Sequence, residues 1–270
     1  MDNIIKTVSA IILAIIVAIN AFGNFIGIGD IIPTEPETTA VETTVPEETT
    51  AMFTGDAEEV IAMYNEAINR AYNEKVGFSK ERFTYNETIT ASNAFVAFTD
   101  LIYQFMNIGD ENKYMMTVGK GEWESDVPHH YLRLSTLTAD DIYYAVCAEK
   151  GGNYEITLSI KDGNSKATKD EKINNSPIDK CGICVGETDK SYFDHKTAPA
   201  IYSAIGGVFP SAAIEESYSG ATVKCVIDSS TGNIVRLAVE YDVKCTIDIG
   251  AVGSGEVKGI VGIKYNNFIY

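Results

Sequence analysis

Residues 221–249 read ATVKCVIDSSTGNIVRLAVEYDVKCTIDI, and the rest of the chain is understood outward from them. Ala221, Val223, Cys225 and Ile227 alternate with Thr222, Lys224 and Asp228. Ser229-Ser230-Thr231-Gly232-Asn233 breaks the pattern as a turn. Alternation then resumes: Leu237, Val239, Tyr241, Val243, Cys245, Ile247 and Ile249 against Arg236, Glu240, Asp242, Lys244, Thr246 and Asp248. A period of two held this long describes strands with one wet face and one buried face. Two such strands joined by a short turn form an antiparallel hairpin.

Moving toward the C-terminus, a glycine-rich turn at residues 250–255 leads to Val257, Val261, Ile263 and Tyr265, a third strand. Upstream, residues 142–148 and 154–160 flank Glu149-Lys150-Gly151-Gly152-Asn153, a second hairpin signal. Further upstream the period changes to that of a helix. Val60, Ile61, Tyr64, Ala67, Ile68, Ala71 and Tyr72 form one apolar stripe, and Glu66, Asn69, Arg70 and Glu74 lie opposite. Asp56 stands where a cap belongs, and Glu58 and Glu59 suit the positive end of the first turn. A strand is expected over 83–91. A second helix is expected over 92–107, with Phe95, Phe98, Ile102, Phe105 and Met106 on one side, and a short third near 197–204. The fold class is therefore α+β: a curved antiparallel meander packed against two or three helices.

The N-terminus has a different character. Residues 7–29 carry no charge, and 11–19 read IILAIIVAI. Lys6 precedes the run and Asp30 follows it, a polarity that leaves the N-terminus inside and the rest outside. Residues 8–28 have the length of a membrane span, about 20 residues. An uncleaved anchor over 1–29 is expected, with the membrane as partner through 8–28. The alternative is a signal peptide cut at Ala21-Phe22-Gly23, which would release a secreted domain. Residues 30–53 are rich in Thr, Pro and Glu and form an acidic stalk, with a reach on the order of 60–70 Å. Residues 54–270 make up the extracytoplasmic domain.

Acidic side chains number 38 and basic ones 21, for a net charge of −17, and the excess persists within 54–270. Phosphate contacts need clustered Lys and Arg, so a nucleic-acid partner is excluded. An acidic surface also keeps copies of a soluble domain apart.

Tyr154-Glu155-Ile156-Thr157 after a Gly-Gly-Asn turn, Asn175-Ser176-Pro177, and 229–237 leading into a long final meander resemble a domain family of exported Gram-positive surface proteins. That family has the same order of apolar segment, Thr/Glu/Pro stalk and helix-then-strands domain. The likeness covers most of 54–270 and carries no functional residue. More loosely, helices against a curved antiparallel sheet resemble the half-barrels of bacterial lipoprotein carriers. That likeness is architectural and does not give function.

Motifs with chemical meaning are few. Cys181-Gly182-Ile183-Cys184 is a C-x-x-C. It lacks the βαβ setting of a redox pair and has no second C-x-x-C to complete a zinc site. Its weak metal candidates are Cys181, Cys184 and His195. Cys225 falls opposite Leu237 and Cys245 well along the same strand, too far for a bridge between them. Cys147 is expected to face away from the apolar layer. Any bridge within the C-x-x-C closes a very short loop and adds little stability. No G-x-S-x-G or phosphate loop is present. Asp162-Gly163-Asn164-Ser165 opens like a calcium loop, but Ile173 stands where the closing glutamate belongs, so it reads as a turn.

These observations favour a non-enzymatic surface module, with no cofactor, that binds a protein or wall polymer. The alternative is a carrier or sensor of an apolar ligand between sheet and helices, with Phe95, Phe98, Ile102 and Phe105 as its residues. An enzyme of unrecognised type ranks third.

Overall fold

A computed structural model describes residues 51–53, 56–92, 108–110, 113–123, 131–168, 172–174, 176–183, 213–248 and 253–270. Within these the chain is mainly β with some α. One helix, α1 (Ala57–Asn73), packs on a large antiparallel sheet. The strands are β1 (Ala51–Phe53), β2 (Gly77–Ala91), β3 (Tyr114–Val118), β4 (Ile142–Lys150), β5 (Asn153–Ile160), β6 (Gly163–Thr168), β7 (Lys172–Asn174), β8 (Ala213–Asp228), β9 (Ile234–Asp248) and β10 (Ser254–Ile269). Eight of them run in the order β1-β4-β5-β8-β9-β10-β2-β3. β6 continues the line of β5 along the first half of β8 and carries β7 on its free side.

The hairpin read first from the sequence is β8–β9, and Cys225 lies opposite Leu237 as expected. Leu237, Val239, Tyr241 and Val243 are buried, and Arg236, Glu240, Asp242 and Lys244 are exposed. The side chain of Ile247 lies outside the described residues. β2 starts at Gly77, earlier than the strand expected from residue 83. The expected helices over 92–107 and near 197–204 fall outside the described residues, as do residues 1–50. Ala51–Phe53, assigned to the stalk from composition, pair with Glu149, Ala148 and Cys147 as β1.

Cys147 corrects an expectation. It is buried and lies directly opposite Ile156. The turn between β4 and β5 is only Gly151-Gly152, with φ of +56° and +76°, so Lys150 pairs with Asn153. That two-residue turn suits the twist of the flanking strands. It sets Cys147 and Ile156 in one register row, and residues facing each other across an antiparallel pair share a face. The longer turn assumed from sequence put them on opposite faces.

Several strands carry an extra residue that bends the sheet, and two of these bulges stand in β8 and β2. β8 has one more residue than β9 between Ser219 and Thr222. Gly220 there has φ +62°, a backbone that glycine adopts without strain. Its N–H donates to Asp162 Oδ1 at 3.3 Å, at the joint between β5 and β6. On the other side of the sheet, β2 has one more residue than β10 near Asn86, with φ +52°. Bulges of this kind sharpen the local bend and twist of a strand.

α1 lies against β4, β5 and β9. It buries Val60, Ile61, Tyr64, Ala67, Ile68 and Ala71, while Tyr72 stays exposed. Asp56 occupies the N-cap position through its carbonyl, which accepts from Glu59 and Val60, and its side chain makes no capping bond. On the polar side Arg70 pairs with Glu66 at 2.9 Å and donates to the Thr231 carbonyl at 2.6 Å. The helix is thereby tied to the β8–β9 turn. Phe78, Trp123, Tyr131 and Tyr265 meet beyond the C-terminal end of α1. Trp123 stacks on Tyr131 at 5.1 Å and donates to the Val76 carbonyl.

Candidate functional site

The sheet has an inner face under α1 and an outer face. The inner face is sealed by polar stitches as well as apolar packing. Residues 131–138 and the 3₁₀ turn Pro177–Cys181 lie against α1. Tyr64 donates its hydroxyl to the Cys181 carbonyl at 2.7 Å. Asn65 donates to the Leu137 carbonyl, and Asn69 exchanges two bonds with Ser135. The Ser135 hydroxyl lies 2.6 Å from Asn65 Oδ1 and 3.0 Å from the Lys180 carbonyl. Polar residues on a helix that lies on a core thus satisfy the carbonyls and amides of an irregular loop, which would otherwise be buried unpaired.

Asp141 anchors this layer. It closes a capping box with Thr138 and pairs with Lys180 at 2.5 Å. Burial pushes its pKa up, but the bonds from Lys180 and Thr138 more than offset this and hold it below the ordinary 3.8. A carboxylate whose pKa falls on folding adds stability above its unfolded pKa and loses it as pH falls through the folded pKa. Urea midpoints of Asp141→Asn and the native chain should therefore differ most near neutral pH. They should converge as the pH falls below the ordinary 3.8 and through the folded-state pKa, where the Asp141 carboxyl takes up its proton. A gap unchanged by acid would count against this role.

Of the candidates read from sequence, Phe95, Phe98, Ile102, Phe105, Cys184 and His195 lie outside the described residues. Cys181 is wholly buried, close to Tyr64. Its sulfur therefore belongs to the packing, whatever the state of the C-x-x-C. No two of the four described cysteines are bridged to each other. Among the described residues no group of three or more His, Cys, Asp or Glu is placed to hold a metal ion. No described helix is long and apolar enough to cross a membrane, and residues 8–28 are not among those described.

The inner face also holds polar groups that the sequence reading passed over. Glu216 and Lys80 are buried there, together with Ser165 and Thr84. The Tyr218 hydroxyl donates to Glu216 Oε2 at 2.5 Å. Burial and then the Glu216 charge raise the Tyr218 pKa well above its ordinary value. Lys80 Nζ lies 5.4 Å from the Tyr265 ring centroid and 6.0 Å from that of Tyr114. The clue available in sequence was period two over 214–218, where Glu216 takes an inward position.

The outer face is built differently. Pairing across β9, β10 and β2 makes the row Glu240–Gly262–Phe83 and beside it Asp242–Ile260–Tyr85. Gly262 gives this face a flat floor: a Cβ there would come within 2.6 Å of Phe83 Cζ. Phe83 and Tyr85, both half-buried, stack at 5.6 Å. Lys264 and Lys113 place their ammonium groups 4.9 and 5.3 Å from the Phe83 centroid. Lys113 also pairs with Glu81. The Tyr85 hydroxyl donates to Glu240 Oε2 at 2.7 Å, and this bond is the main reason its pKa is pushed up to about 12. Further along, Lys244 and Lys258 both pair with Glu256. The result is an aromatic pair ringed by charges of both signs. Neither Phe83 nor Tyr85 stands out in sequence, because the bulge at Asn86 interrupts the alternation of β2.

Comparison with protein-family models, curated proteins and solved structures returns no match.

Proposed function

We propose that the domain is a non-enzymatic extracytoplasmic binding module, held at the cell membrane through residues 8–28. Its outer sheet face takes up a hydroxyl-rich polymer of the cell envelope. The observation that carries this reading is the Phe83–Tyr85 stack on the Gly262 floor, framed by Lys113, Lys264, Glu81, Glu240 and Asp242. A sugar ring has an apolar C–H face and a rim of hydroxyls. Flat aromatic rings suit the first, and carboxylates and ammonium groups suit the second. Charges of both signs in near balance favour a neutral ligand over a polyanion. The N-terminal apolar segment and the acidic stalk support a position outside the membrane. The buried Lys80 and Glu216 weigh against the alternative, an apolar ligand held between sheet and helix.

The test is co-sedimentation of the native chain with purified Gram-positive wall sacculi, alongside Phe83→Ala/Tyr85→Ala. Loss of two stacking residues should weaken retention by about tenfold or more, since a hot-spot aromatic is worth about 2 kcal/mol or more. The melting transition should remain cooperative. Equal retention of the two proteins, or no retention of the native chain, would sink the reading.

A further inference from the structure

The aromatic pair at Phe83 and Tyr85 has a counterpart toward the other side of the sheet. β4 carries one more residue than β5 between Ile142 and Tyr144, so Tyr143 and Tyr144 stand together against the single Ser159. A bulge of this kind re-aims side chains. The two tyrosines are 60% and 51% exposed.

One register row joins the two pairs across the outer face. Tyr144 faces Ser159, Ser159 faces Thr222, Thr222 faces Glu240, Glu240 faces Gly262 and Gly262 faces Phe83. From β4 to β2 the row crosses five strand spacings, about 24 Å in all. Between its ends the side chains are short, with hydroxyls on Ser159 and Thr222 and no side chain on Gly262. The exception, Glu240, is bonded to Tyr85 in the neighbouring row. The rows on either side carry longer groups. Lys224 and Lys264 stand in one, Asp242 and Tyr85 in the other. The row is therefore the floor of a shallow trough that runs across the strands, with an aromatic pair at each end.

We infer, building on the envelope-polymer reading above, that the polymer is a glycan strand of several sugar units lying along this trough, and that Tyr143 and Tyr144 are its second stacking point. Rings of the strand rest on the aromatic pair at each end. Between the ends its hydroxyls meet Ser159, Thr222 and Glu240, with amines on one flank and a carboxylate on the other. A short sugar reaches one pair only. A strand that reaches both is held at two points, and the second contact forms at high effective concentration.

The test competes the native chain off wall sacculi with glycan fragments released from the same sacculi by partial muramidase digestion and separated by length. At equal sugar content, fragments long enough to span the row should compete at least about tenfold better than the disaccharide. Tyr143→Ala/Tyr144→Ala should lower retention several-fold and erase that advantage of length. Its competition by the disaccharide and its melting temperature should stay as in the native chain. If long and short fragments compete alike while Phe83→Ala/Tyr85→Ala still loses retention, the trough is overturned and the envelope-polymer reading stands. The same holds if Tyr143→Ala/Tyr144→Ala is retained like the native chain. If Phe83→Ala/Tyr85→Ala is retained like the native chain, the reading falls and the trough with it.

Discussion

The Val243→Asp variant is expected to have no cooperative unfolding transition and to collect in the insoluble fraction. Val243 is 4% exposed, at the centre of β9, with Tyr218 facing it from β8 and Gly259 from β10. An aspartate there loses the valine's burial, about 1.5–3 kcal/mol. It also places a carboxylate where neither neighbouring strand offers it a cation. A buried, unpaired charge costs several kcal/mol even when the group protonates to escape it. Against a total stability of about 5–15 kcal/mol, the two terms together remove most of the margin. One residue earlier, Asp242 stands in water on the other face. Asp242→Val should shift stability by less than about 1 kcal/mol, as ordinary surface changes do. Circular dichroism with urea titration reads both. Similar behaviour of the two variants would mean that the period of two does not decide which face is buried.

Tyr64 is the second place where one change has a large effect. Its side chain is fully buried between α1 and the sheet, and its hydroxyl donates to the Cys181 carbonyl. Burial raises its pKa well above the ordinary value, and Cys181, Cys225 and Tyr265 add to the rise. Tyr64→Ala is expected to cost about 3–5 kcal/mol, as large aromatic deletions in cores do. Tyr64→Phe keeps the ring but removes the hydroxyl's bond to the Cys181 carbonyl, for about 0.5–1.5 kcal/mol. In a domain of this size, each kcal/mol lowers the melting temperature by about 2–4 °C. If Tyr64→Phe melts with the native protein, the bond to Cys181 does not hold the 3₁₀ turn against the helix.

Legibility in the sequence followed the range of the interaction. The apolar stripe of α1 and the alternation of β8, β9 and β10 depend on residues two to four apart, and among the described residues nearly all took the expected side. Cys147 was misplaced by register, since one assumption about turn length moves every residue of a strand to the other face. β1 was hidden because three residues cannot show a period. Asn69 was read as part of the polar face of the helix, yet with Asn65 and Ser135 it stitches a loop to the helix across more than sixty positions of chain.

The candidate surfaces divide the same way. Composition and period alone determined that the chain folds around a long antiparallel hairpin with one wet face, and that its surface is acidic. They did so because burial and charge act residue by residue. Only the tertiary structure decided what stands on that wet face. Phe83 and Tyr85 meet Glu240 because β10 lies between β2 and β9 with Gly262 in the row, a pairing between segments some 155 residues apart. Strand order and strand length are settled by which pairings bury the most surface together, and no local run of residues encodes that competition.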